Sequence, residues 1–200
     1  MKNTLSALLV MVLASCASVN FNSQKLINQE KTYNSLFVLL THSDDTFYEW
    51  DEDNYQYLFF GKFNDLDHDS DRRMLSNSLK RYLNSVNLTF ANQHFPIHKP
   101  VPYSEFMEKI GELDFDGMLI VHTREKWVDE EYTDSGRVTR PNSGYHLFLL
   151  DKEDLEIAWL ARTNVAGTAM HNFQEIYNSF SRELAKEMHE KGLIRRPYTY

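Results

Sequence analysis

The chain has 200 residues, with 21 Lys+Arg against 29 Asp+Glu and a formal net charge of −8. That acidic balance repels nucleic-acid phosphates, and no basic stripe offsets it, so nucleic-acid binding is excluded. The length suits one domain with a short extension, and 13 Phe with 11 Tyr supply bulk for a well-filled core.

The chain opens with Lys2, an uncharged apolar run over residues 5–13, and then Leu13-Ala14-Ser15-Cys16. A charged start, a short apolar stretch and small residues before a cut describe a secretory signal. The run is too short to cross a bilayer, which takes roughly 20 apolar residues. The sequence LASC resembles the lipobox of bacterial lipoproteins. That resemblance implies cleavage before Cys16 and a diacylglycerol on its sulfur. The competing reading is an ordinary secretory signal with an incidental cysteine. Cys16 is the single cysteine, so no intramolecular disulfide can form, although export would permit one. Lipidation accounts for an odd cysteine in an exported chain, and several acyl chains hold a membrane far more firmly than one. By resemblance to enterobacterial lipoproteins, Asp after the cysteine retains a protein at the inner membrane. Ala17 stands there instead, which implies the outer membrane and a periplasm-facing domain. The expected layout is a signal peptide over 1–15, a lipidated tether over 16–34 and one domain over 35–200.

Residues 17–34 are polar and weakly patterned, as a tether would be. Residues 36–41 (LFVLLT) form a continuous apolar run, the pattern of a buried strand. Residues 43–71 are acidic and read as loop, with an added strand possible at Tyr55-Gln-Tyr-Leu-Phe-Phe60. A helix is predicted from about Asp71. It is capped by Ser70 or Asp71, with Leu75, Leu79, Tyr82, Leu83 and Val86 on one face. A short strand is expected over 87–92. A second helix begins at a capping Ser104 and buries Phe106, Met107, Ile110 and Leu113. Residues 117–123 (GMLIVHT) read as a strand. Residues 124–143, charged and holding Asp134-Ser135-Gly136, read as a projecting hairpin or long loop. Strands follow at 145–150 and 155–166, the latter with period-two alternation. A last helix over about 171–191 buries Phe173, Ile176, Tyr177, Phe180, Leu184 and Met188, and Gly192 ends it. Strands interleaved with single-striped helices imply an α/β (α+β) two-layer sandwich, a mixed β-sheet with helices packed on one face.

LFVLLT near the start, DFDGMLIVHT, and the pair YHLFLLDKEDLEIAW before a long helix ending in Gly192-Leu193 resemble one group of envelope lipoproteins. The group includes the peptidoglycan-synthase activator lipoproteins and the curli-secretion lipoprotein, and its domain is similar to the N-terminal domain of the Tol-system propeller protein. The likeness covers most of residues 35–193. It implies a domain that binds other envelope proteins, and the long acidic segment 43–71 departs from the group. A shared fold does not by itself assign a function.

The sequence holds no G-x-S-x-G, H-E-x-x-H or P-loop motif. Lipidation would consume Cys16 as a nucleophile. Asp65, Asp67, Asp69 and Asp71 alternate as in a calcium loop, but Ser70 stands at the required glycine and Ser76 at the closing glutamate. A solvated loop that caps the next helix is the expected reading. His94 and His98 flank a proline and share no helical face. His122 and His146 fall on strands that could be neighbours, and two histidines need a third ligand for zinc. Glu183 and Glu187 lie one turn apart and read as a solvated helix face with Lys186 and Lys191. Trp127, Tyr132, Arg137 and Arg140 in the hairpin region are of the types found at interface hot spots, set against a mobile loop with no partner. The expectation is a lipoprotein with no catalytic residue, metal or cofactor, held to the membrane by Cys16 and binding or assisting an envelope protein. The alternatives are an accessory lipoprotein of an ABC-type or lipid-trafficking system, and a hydrolase without a recognisable motif.

Overall fold

A computed structural model describes residues 17–27, 31–95, 99–134 and 136–198. Six strands make one mixed sheet: β1 (Ser18–Lys25), β2 (Ser35–His42), β3 (Asn87–Phe90), β4 (Gly117–Thr133), β5 (Gly136–Asp151) and β6 (Ile157–Ala166). Their spatial order is β1-β6-β5-β4-β2-β3. β2 runs parallel to β3 and β4, and the remaining pairs are antiparallel. The helices are α1 (Glu52–Asn54), α2 (Asp69–Tyr82), α3 (Tyr103–Glu112) and α4 (Phe173–Glu190).

The mixed α/β sheet with helices packed on it is as expected. Its layering is fuller than the expected two layers. On one face, Leu36, Val38, Leu119, Val121, Leu147 and Trp159 meet Leu75 and Leu79 of α2 and Phe180, Leu184 and Met188 of α4. On the other, Phe37, Leu39, Met118, Ile120, Phe148 and Leu150 meet α3 and a group of aromatic side chains from residues 47–63. Strand order explains why α2 and α3 separate. β2 leads outward through α2 to β3, and β3 leads back past β2 through α3 to β4. Crossovers of one hand that travel in opposite directions lie on opposite faces. Covering both faces of β2 also explains the unbroken run LFVLLT, since a strand buried on both sides has no polar alternate positions.

Three local readings differ from expectation. Residues 18–25, expected as tether, form the edge strand β1, because Val19 and Phe21 alternate onto the α4 face. The segment Tyr55–Phe59 is a π-helical turn and not a strand. It buries Tyr55, Leu58 and Phe59, and the Tyr55 hydroxyl donates to the Val101 carbonyl at 2.6 Å. Helices α2 and α3 begin at Asp69 and Tyr103 without a side-chain cap, so Ser70, Asp71 and Ser104 do not cap them. By contrast, α4 starts in a full capping box. The Glu175 amide donates to the Asn172 side chain at 3.2 Å, and the Asn172 amide to the Glu175 carboxylate at 2.6 Å. Gly192, at φ +70°, ends that helix.

Candidate functional site

β4 and β5 run on beyond the body of the sheet. Pairing of β4 with β2 ends at Thr123, and pairing of β5 with β6 ends at Asn142. Past those rows the two strands pair only with each other, so the projecting hairpin expected for 124–143 is present. A two-stranded ribbon is marginal by itself, and diagonal ion pairs support this one. Arg140 meets Glu131 at 2.6 Å and Arg137 meets Glu130. The Asn142 amide donates to Asp129 at 2.9 Å. At the base, Lys126 pairs with Asp71 of α2 and lies 4.3 Å over the Phe173 ring at the start of α4. The outer part carries Trp127, Val128 and Tyr132, 36%, 43% and 78% exposed. The hairpin is thus fixed at its root and open along its length.

Strand register ties this hairpin to the start of the chain. Ser18 lies opposite Ala166, Ala166 opposite Asn142, and Asn142 opposite Trp127. The polypeptide therefore enters the sheet in the row where the hairpin leaves it. The six residues 136–141 extend β5 past that row by about 20 Å, at roughly 3.3 Å per residue. Cys16 lies outside the described residues. Ala17 is buried, only 8% exposed.

The expected neighbours His122 and His146 do face each other across β4 and β5. His122 Nδ1 lies 2.7 Å from the Thr41 hydroxyl, and its Nε2 lies 3.3 Å from the Asp45 carbonyl. Burial lowers the His122 pKa. Burial, and then the nearby Arg162, Arg124 and His122, push the His146 pKa down to about 4. Both rings are neutral at pH 7. His94 packs 6.4 Å from the Phe37 ring, and His98 lies outside the described residues. A second histidine pair escaped the sequence: His42 and His68 stack at 4.1 Å. Only the turn that precedes α2 brings them together, so no spacing signals it. They border a cavity of about 40 Å³ with Asp71, Lys126 and Tyr177, room for solvent and not for an organic ligand. Burial is the main cause that lowers the His42 pKa.

The alternating aspartates do not converge. Asp69 binds Arg72 and Arg73 at 3.1 and 3.2 Å, and Asp71 binds Lys126. The Asp65 side chain accepts from the Asp67 amide at 2.9 Å. The buried Arg72 guanidinium donates to the carbonyls of Phe63 and Asp65 at 2.8 Å each, which holds the acidic loop to α2. Glu187 differs from expectation: it is not on a solvated face. Its side chain is 18% exposed, accepts from the Ser23 hydroxyl and lies 3.7 Å from Lys191, so it joins β1 to α4. Glu183 pairs with Arg182 at 3.1 Å.

No family model matches the chain, and no curated protein does. Among solved structures it is similar to the PelC dodecamer from Paraburkholderia phytofirmans at 11% identity, with 84% of this chain and 94% of that one covered and a TM-score of 0.49. It is similar to lipoprotein GNA1162 from Neisseria meningitidis at 12% identity, covering 78% and 98% of the two chains, TM-score 0.40. Protein XCC0632 from Xanthomonas campestris aligns at 11% identity over 82% and 83%, TM-score 0.39.

Proposed function

We propose that this chain is an envelope lipoprotein that binds another envelope component and carries out no chemistry of its own. In this reading residues 1–15 are removed, Cys16 carries the lipid, and Ala17 directs the protein to the outer membrane with its domain in the periplasm. The observation that best supports it is the row shared by Ser18 and Trp127. β1 starts two residues after Cys16, so the anchor has no slack. A lipid on Cys16 keeps this end of the sheet against the bilayer, with the hairpin beside it. Trp127 with Arg140 on one face of the ribbon, and Tyr132 with Arg137 on the other, then present contact residues at membrane level. They are of the residue types that dominate binding energy at interfaces. The partner is accordingly an envelope protein reachable at the membrane surface.

Two measurements test the proposal. Cys16→Ser should leave the membrane fraction or remain unprocessed. A variant cut at the same site and sedimenting with membranes like the wild type would show that lipid is not the anchor. Crosslinking in intact cells from position 138, on the same face of the ribbon as Trp127, should capture a partner that Trp127→Ala loses. A wild-type pattern with Trp127→Ala would remove the hairpin from the interface.

A further inference from the structure

The aromatic layer covers only part of its face of the sheet. Over β1, β6 and β5 that face is open, and a groove of about 440 Å³ lies there. Asn22 and Gln24 of β1 form one side, Leu160 and Arg162 of β6 with His146 and Phe148 of β5 the floor, and residues 46–48 the other side. The size falls in the range of small-molecule sites, roughly 300–1,000 Å³.

Its charges are unusual for so acidic a chain. Arg162 is exposed and takes part in none of the ion pairs among the described residues. His146 is 5% exposed, and its Nε2 is buried with no hydrogen-bond partner. The neighbouring Arg124 also has a buried Nε with no partner. Arg162 and Arg124 are close enough to His146 to oppose its protonation. Asp45 is taken by Ser43, Tyr57 and Lys62. Glu125 rests over Gly144 on the same face, one row from His146 and Arg162, and is the carboxylate that borders the charged end of the groove. Buried nitrogen groups ordinarily have partners, so positive charge and unused hydrogen-bonding capacity meet at one groove.

We propose that this groove binds an acidic sugar: its carboxylate sits on Arg162 beside His146, and its ring lies between Asn22, Gln24 and the Phe148–Leu160 floor. The guanidinium fork suits a carboxylate. Asn22 and Gln24 alternate onto this face of β1, and each amide both donates and accepts, as sugar hydroxyls require. Tyr48, 76% exposed, supplies an aromatic wall for the ring's C–H face. The site is independent of the lipid anchor and of the hairpin.

Calorimetric titration of the purified full-length protein in detergent tests this, with glucuronate, glucose, N-acetylalanine and inorganic phosphate as probes. Glucuronate should bind saturably, and glucose and phosphate should not compete. Arg162→Gln should weaken binding roughly tenfold or more, and His146→Gln should weaken it too. Both variants should keep the wild-type melting transition, or the His146 ring resonances of the wild type should shift on titration. Equal binding of glucose or phosphate would overturn the proposal. So would tighter binding of N-acetylalanine, which marks a peptide carboxylate, or wild-type affinity in Arg162→Gln. Because the titration needs neither membrane nor partner, its failure leaves the anchoring experiments untouched.

Discussion

At the residue scale, Phe180 and Glu187 show how position in the packing outweighs residue class. Phe180 is fully buried, 4.1 Å from the Tyr145 ring and 6.3 Å from Phe21. Phe180→Ala should cost about 3–5 kcal/mol, the usual cost of emptying a core phenylalanine site. Glu187 reads as a solvated helix residue, yet it holds Ser23 of β1. Glu187→Ala should cost about 1.5–3 kcal/mol, as hydrogen bonds to charged groups do, against less than about 0.5 kcal/mol for an ordinary surface change. A urea double-mutant cycle with Ser23→Ala checks it, and strict additivity would show that the bond contributes nothing. His146 makes the third case. Its folded pKa, about 4, lies below the value of roughly 6.5 expected unfolded. The unfolded chain therefore takes up the proton first as pH falls. Stability is complete above about pH 6.5 and declines toward pH 4, by up to about 3 kcal/mol from this group. His42 and His122 act in the same sense. His146→Gln should flatten part of that decline in urea midpoints measured across this window. An unchanged slope would mean that His146 titrates normally.

At the element scale, β1 and the acidic loop carry the sharpest expectations. β1 packs Val19 and Phe21 against the core and covers the outer edge of β6. Deleting residues 18–25 should lower the melting temperature and leave an exposed strand edge that promotes aggregation. A deletion variant as stable and as free of aggregation as wild type would restore the tether reading. The aspartates at 65, 69 and 71 are already engaged, the last two with Arg72, Arg73 and Lys126. Melts with calcium and with chelator should coincide. A calcium-dependent rise would mean that these pairs open to admit a cation, because a ligand selective for the folded state must stabilise it.

At the scale of the whole molecule, periodicity and composition determined much. The apolar run at β2, the alternation along β6 and the stripe on α4 were legible, because each is a local pattern of burial. Other features depended on which strands are neighbours. The polar alternates of β1 look like tether until β6 supplies a hydrogen-bonded edge and α4 supplies Glu187. The Phe and Tyr residues of 47–63 look like loop until α3 and the second sheet face gather them. Nor does any spacing relate Ser18 to Trp127, or Asn22 to Arg162 and His146. Sequence by itself determined the elements, since each depends on side chains a few positions apart. Tertiary structure alone decided the row shared by Ser18 and Trp127 and the groove, since both depend on the order in which strands pair.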